Sequence, residues 1–414
     1  MALLQPVRGT HDLLADETRA HGRVTETARA AALRYGFEEV STPIFEFSQV
    51  FRRTLGDTSD IVTKEMYTFT DKGGDELTLR PENTAGIARS FISEGLAQQI
   101  PVKVFYNGPM FRYERPQKGR LRQFHQIGIE LIGVAQPQAD IEVIACGARV
   151  LDELGVIGLA TLELNTLGDT QSRSAYRDAL VEYFSDFTAD LSQDSQERLT
   201  RNPLRILDSK NEGDRRIIAD APLFADFLNA ESSDHFAAVR AGLDALDIAY
   251  TINPRLVRGL DYYCHTAFEF TTDALGAQGA LIAGGRYDGL IGMMGGPETP
   301  GIGWAGGIER LAMLCGDPPP RPRAIAVVPV GDVAQQAALV LSEKLRRDDF
   351  RIEIAYSGNL SRRMKRANRL NVCAVVIFGE DELARDAVTV RHMDTGEQEE
   401  VPLTSLPDFL ARYR

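Results

Sequence analysis

The sequence predicts an α+β fold: a sheet built from hairpins with flanking helices, a helical module inserted within it, and a separate small α/β domain at the C-terminal end. Three observations predict it. A basic hairpin, FRYERPQKGRLRQFHQIGIELIG from Phe111, returns on one long apolar strand. A polar, helix-favouring texture runs from beyond Leu167 to about Asp247. Finally, PPPRPR at 318–323 separates everything before it from a regular alternation of strand and helix. Successive prolines fix the backbone and remove donors, so this segment reads as a stiff linker. At 414 residues the chain is too long for one ordinary core, and two or three domains are the prior.

The elements follow in order. From Asp16 to Tyr35 the apolar positions Val24, Ala28, Ala31, Ala32 and Tyr35 recur at helical spacing and imply one buried stripe, which Gly36 ends. FEEVSTPIFEF reads as a strand interrupted by Pro43, which cannot donate to a ladder and so belongs at an edge or an interface. ELTLRPENTAGIARSFI is a short strand, a turn and a helix capped by Thr84. Strands at 102–106 and 110–114 lead into the RPQKGR turn, and the return strand spans 121–134. After the helical module, strands resume at LVRGLDYYCHTAFEF, before the glycine-rich AGGRYDGLIGMMGGPETPGIGWAGGIERL. Beyond the linker, AIAVVPV, a helix at 333–347, RIEIAY, a helix at 360–370 and VCAVVIFG make the small α/β domain.

Charge and cysteine usage exclude several classes. Lys plus Arg number 46 against 59 Asp plus Glu, a net charge of -13, which argues against nonspecific coating of nucleic acid. Yet Arg112, Arg115, Lys118, Arg120 and Arg122 crowd around a single acid, Glu114. A local basic stripe on an acidic body can still grip phosphate selectively. The 4 cysteines show no CxxC and no zinc spacing, so neither a disulfide framework nor a structural zinc site is expected, and a reducing cytoplasm fits. The opening MALLQPVRGTHDLL soon reaches charge, and no apolar run approaches the roughly 20 residues that span a bilayer, so neither a signal nor a membrane segment is read.

The chemistry concentrates in a few stretches. GIGWAG has the dinucleotide spacing GxGxxG at Gly301, Gly303 and Gly306, but PETP precedes it where a strand is required and a proline linker follows where a βαβ unit is required. A nicotinamide enzyme is therefore rejected, and no GxxxxGK[ST] loop exists. Arg310 falls in the first turns of a helix opening at about Gly306, where a cation opposes the macrodipole and calls for a negative partner such as a polyphosphate. On the strand after the basic hairpin, alternation puts Gln126, Gly128 and Glu130 on one face. Gly128 leaves room there for a ligand between Gln126 and Glu130, which stand roughly 13 Å apart at about 3.3 Å per residue. The 6 histidines show no metal spacing, and no metal ligand is assigned. Arg362, Arg363, Lys365, Arg366 and Arg369 form a basic run on the second helix of the last domain, a solvated surface or a nucleic-acid contact.

RGTHD, TLRPENTAG, FRYERPQKGRLRQFHQ, LVRGLDYY, GGRYDGL and GIGWAGGIERL, in this order, closely resemble histidyl-tRNA synthetases, class II aminoacyl-tRNA synthetases, over essentially the whole chain. LVRGLDYY and GGRYDGL are specific to that family rather than to class II enzymes generally. One departure is Asn83, where the family usually has glycine. The resemblance implies a class II antiparallel sheet with flanking helices in a catalytic domain at 1–319, a helical insertion at about 168–247, and a C-terminal α/β anticodon-binding domain at 324–414. It also implies a homodimer with an interface around the first helix and Pro43, and a cytoplasmic enzyme.

By the same resemblance, ATP with Mg²⁺ activates L-histidine to the adenylate, which is transferred to the 3′ end of tRNA(His). Arg112 would contact the α-phosphate, Arg120 and Arg310 the outer phosphates, and Phe124 would stack on adenine. Arg258 would bridge the α-phosphate and the histidine carboxylate, so Arg258 and Arg112 are the catalytic candidates. Glu82, Thr84 and Gln126 would receive the α-amino group, Glu130 and Tyr263 the imidazole, and Tyr287 would line the pocket. Gln117 and the insertion are candidate tRNA contacts. The rival reading is a catalytically inactive, synthetase-like regulatory subunit of ATP phosphoribosyltransferase; such paralogues generally lack the C-terminal domain and the catalytic arginines, both of which this sequence has.

Overall fold

The computed structural model describes residues 3–56, 61–116, 120–257, 262–276, 279–318 and 320–414. Arg258 and Gln117 lie outside the described residues. The chain divides into two compact units, Met1–Pro319 and Pro320–Arg414.

An eight-stranded sheet organises the first unit, in the spatial order Glu38–Glu39, Val102–Phe111, Gln123–Ile132, Gly301–Gly307, Ala280–Arg286, Cys264–Thr271, Thr161–Thr166 and Thr251–Ile252. Pairing is antiparallel throughout its middle and parallel only at the two short outer strands. One face is covered by the helices Ala15–Arg34 and Pro137–Glu153, and the apolar stripe expected of the first of these is buried at Val24, Ala28, Ala31 and Ala32. A fully buried Val or Leu contributes about 1.5–3 kcal/mol, so this layer fastens the helices to the sheet.

The hairpin corrects the expected pair of strands. Val102–Phe111 is one ten-residue strand, in unbroken register with Gln123–Ile132 from Val102↔Ile132 to Phe111↔Gln123. The apparent break, Asn107-Gly108-Pro109, is absorbed because Gly108 takes φ +154, where a Cβ would stand 2.4 Å from an Arg80 guanidinium nitrogen. Likewise GIGWAG is the strand Gly301–Gly307, central in the sheet, and its helix begins only at Ile308. The glycines serve packing: a Cβ on Gly303 would lie 1.8 Å from a Glu130 carboxylate oxygen.

The stretch 168–247 divides in two. Tyr176, Leu180, Phe184, Leu191, Ile206, Ile218 and Phe224 build a core of their own. The last helix, Ala230–Ala245, instead buries Val239 and Leu243 in the main core and packs on Pro137–Glu153. Polar texture marked both parts alike, because a helix half covered by the sheet layer keeps a polar outer face.

A small three-stranded sheet, Phe45–Phe47, Glu76–Leu79 and Tyr67–Thr70, stands apart from the large one. The second unit has a five-stranded sheet ordered Ile352–Ile354, Ile325–Pro329, Ala374–Phe378, Ala387–His392, Gln398–Pro402. Its first three strands are parallel and its last two antiparallel, with apolar clusters on both faces, as a doubly covered sheet requires. No helix among the described residues is long and apolar enough to cross a membrane.

Candidate active site

A cavity of about 600 Å³ opens on the large sheet. Its lining brings together Glu82, Thr84, Arg112, Arg120, Phe124, Gln126, Tyr263 and Arg310, all named from the sequence, and adds Tyr106, Tyr262, Glu269 and Lys210. Arg112 follows the outgoing strand of the basic hairpin, Phe124 and Gln126 sit on the returning one, and Arg310 is on the helix Ile308–Leu314. Antiparallel pairing of Gln123–Ile132 with Gly301–Gly307 places Gln126 opposite Gly307, which draws Arg310 to the same end of the sheet as the hairpin.

Glu82 corrects the capping expectation. Thr84 is the first residue of the helix Thr84–Ser93, and its hydroxyl caps nothing. The two free amides of Thr84 and Ala85 donate instead to the Glu82 carboxylate, at 2.7 and 2.9 Å. Burial raises the Glu82 pKa, with those amides and Arg112 opposing it. Arg112 lies 5.3 Å from the Phe124 ring centroid and donates to the Pro81 carbonyl at 2.8 Å. Burial lowers the Arg112 pKa against the pull of Glu65 and Glu82. Burial lowers that of Arg310 too, and the charges of Arg120 and Arg112 add to the shift. Arg120 is likewise lowered by burial and by the charge of Arg112, so the three guanidinium groups share the cavity at an electrostatic cost that a bound polyanion removes. Glu114 pairs with Arg120 in the meantime.

Glu130 and Tyr287 lie beneath the cavity rather than along its lining. Glu130 is 1% exposed; one carboxylate oxygen accepts from the Thr84 hydroxyl at 2.7 Å and the other from Tyr287 at 2.5 Å. Burial pushes its pKa up to about 8, although both hydroxyls oppose the shift. The room expected at Gly128 is already filled: a Cβ there would lie 2.3 Å from the Tyr106 ring and 2.7 Å from the Trp304 carbonyl. Alternation reveals which face a residue occupies, not which neighbouring strand's side chain leans over it. Three buried polar atoms of the lining, the hydroxyls of Tyr106 and Tyr262 and the Gln126 amide oxygen, have no hydrogen-bond partner among the described residues. Buried polar groups are normally paired, so these atoms suit a polar ligand.

Asn83, absent from any functional list drawn from motifs, is 1% exposed. Its side-chain oxygen accepts from Thr42 at 2.7 Å and Arg80 at 3.2 Å. Arg80 also donates to the carbonyls of Pro109 and Thr42, so one buried cation ties the Glu82 turn to the hairpin and to the segment before Pro43. Glu309 was missed for a different reason. Its carboxylate accepts from the His125 amide at 2.8 Å and bonds the His125 ring at 2.9 Å, and His21 completes a trio whose ligand-type atoms lie within 4.8 Å of one another. These residues come from three distant segments, so no local spacing could signal the cluster. In the second unit, Arg363 of the basic helix Leu360–Arg369 is buried against the Pro329 carbonyl, while its other bases face outward or partly so.

Comparisons with known proteins match almost the whole chain. The histidyl-tRNA synthetase family matches residues 9–311, and the anticodon binding domain family matches residues 324–413. The histidine–tRNA ligase of Rhodospirillum rubrum is 61% identical over 414 residues, covering 100% of both chains. The crystal structure of apo S. aureus histidyl-tRNA synthetase is 35% identical with a TM-score of 0.83, covering 98% of this chain and 99% of that one. The histidyl-tRNA synthetase structure from a Nostoc species, 21% identical with a TM-score of 0.70 and full coverage of both chains, shares the fold. With arginines from two distant segments, an acid at a helix start and a separate C-terminal unit all in the matched ranges, this chain belongs to the histidyl-tRNA synthetase family.

Proposed function

We propose that the chain is a ligase that activates L-histidine with ATP to histidyl-adenylate, releasing pyrophosphate, and then transfers the histidyl group to the terminal adenosine of tRNA(His). The observation that carries this is the convergence of Arg112, Arg120 and Arg310 with Glu82, Thr84 and Gln126 on one cavity. A triphosphate needs the first set and an α-amino group the second. Attack of the histidine carboxylate on the α-phosphorus requires little acid–base help, so positioning and charge stabilisation dominate.

In this reading Arg112 contacts the α-phosphate, Arg120 leaves Glu114 for the outer phosphates with Arg310, and Phe124 stacks on adenine. Arg258 bridges the α-phosphate and the amino-acid carboxylate. Glu82, Thr84 and Gln126 take the α-amino group. Tyr263 and Glu130 take the two imidazole nitrogens, Glu130 through acceptor positions that Thr84 and Tyr287 leave open, since each carboxylate oxygen offers two. Tyr287 acts by fixing Glu130. Mg²⁺ accompanies ATP, and the cavity carboxylates of Glu82 and Glu269 are oxygen donors of the hard type that ion takes.

The unit from Pro320 would bind the anticodon stem and loop of the tRNA, and the enzyme would work in the cytoplasm. It would act as a homodimer: Ile44, Phe45, Phe47 and Phe69 form an exposed apolar patch on the small sheet, next to exposed Pro43. The regulatory-subunit reading is not favoured, because the phosphate-binding arginines and the C-terminal domain are both present. Histidine-dependent ATP–pyrophosphate exchange, followed by charging of purified tRNA, tests the proposal; exchange driven by a different amino acid would overturn it.

A further inference from the structure

Among the described residues, the helical module reaches the cavity at one point. Lys210, between the turn Pro203–Asp208 and the helix Glu212–Ala219, lines it together with Arg112, Arg120 and Arg310. Its neighbours are pinned. Asp214 is fully buried, and its carboxylate accepts from the Ser192 amide at 2.7 Å and from the hydroxyls of Ser192, Ser195 and Ser209 at 2.7, 2.6 and 2.6 Å. Burial works to raise the Asp214 pKa, yet these bonds hold it below the ordinary carboxylate value. On the other side, the Asn211 side chain accepts from the amides of Gly213 and Asp214 at 2.8 and 3.2 Å. The backbone on either side of Lys210 is thus fixed, while its side chain is exposed and makes no hydrogen bond or ion pair with a described residue.

The cavity lining sets Arg112, Arg120 and Arg310 beside Glu82, Glu114, Glu269 and Glu309, and a fourth cation on the same lining raises the local potential that a polyanion would meet on entry. We propose that Lys210 is a fourth phosphate-binding cation of the cleft, delivered by the helical module to an oxyanion at its mouth. The oxyanion belongs to the outer phosphates of the nucleotide or to the phosphodiester before the terminal adenosine of tRNA. This rests on the ligase reading above.

The test compares the full chain with Lys210→Ala and Lys210→Arg. Equilibrium binding of ATP is measured by calorimetry at two salt concentrations, and transfer from preformed histidyl-adenylate is measured in single turnover at limiting tRNA. The alanine variant should lose about 5-fold or more in one of the two and show a weaker salt dependence there, with arginine restoring both and the KM for histidine unmoved. Weaker ATP binding assigns the oxyanion to the nucleotide; slower transfer with normal ATP binding assigns it to tRNA. The proposal falls if the alanine variant stays within about 2-fold in both measurements, or if arginine fails to restore a loss. A wild-type chain without histidine-dependent exchange would sink the ligase reading, and the ATP comparison would still decide Lys210.

Discussion

Glu130 takes up its proton at a pH set by the depth at which it lies. Its carboxyl protonates near 4.5 when unperturbed and near 8 in the fold, with burial as the largest cause. Between those values the folded chain binds the extra proton, so this group's contribution to stability is fully present below about pH 4.5 and is lost as pH rises towards 8. Glu130→Gln should flatten that part of the profile, which urea midpoints at pH 5 and pH 8 would show; a slope equal to wild type would refute the assignment. Arg258→Ala should keep the fold and lose at least about 10²-fold in pyrophosphate exchange, since a lone charge-stabilising group is worth that much. At this scale the sequence singles out side chains that the fold brings to one cavity but not what surrounds them. Arg112, Gln126 and Arg310, which stand out by charge and alternation, all line it. The filling of the Gly128 space by Tyr106 is not legible in the sequence, because it depends on which strand lies alongside.

Between elements, one tie is an ion pair with no solvent access at all. Arg286, at the end of Ala280–Arg286, bonds Asp140 at the start of Pro137–Glu153, and both are 0% exposed. Burial works to raise the Asp140 pKa, but the bonds from His235 and Arg286 hold it below the usual carboxylate value. The pair fixes the end of the strand just before Tyr287, and so the reach of Tyr287 to Glu130. Arg286→Met should strand a buried charge and cost about 3–5 kcal/mol, measurable by chemical denaturation. The KM for histidine should rise with it; an unchanged midpoint would show that the pair contributes nothing net. GGRYDGL signalled a family motif, but neither its arginine's partner nor its depth was readable, since Asp140 is 146 residues away. Strand and helix boundaries fared better: the first helix and the strands Ile325–Pro329, Ile352–Ile354 and Ala374–Phe378 follow from periodicity and the proline linker, whereas Ala387–His392 and Gln398–Pro402 are not read from the sequence.

For the whole molecule, the units Met1–Pro319 and Pro320–Arg414 carry separate cores, and the change of pattern in the sequence falls after PPPRPR. The helix Ala230–Ala245 shares the polar texture of the 168–247 stretch but buries Val239 and Leu243 in the main core, because composition cannot say against which layer a helix packs. Replacing Phe47 and Phe69 with aspartate should give a monomer in sedimentation velocity with little change in helix content; a wild-type chain already monomeric at micromolar concentration would end the dimer proposal. The chain has 1 tryptophan, Trp304, buried in the strand Gly301–Gly307 with its indole N–H on the Val143 carbonyl at 3.0 Å. Intrinsic fluorescence excited at the red edge therefore originates wholly from the first unit, so melting of the second unit is spectroscopically silent at that wavelength, and emission doubles as a dye-free gauge of the sheet beneath the reacting groups.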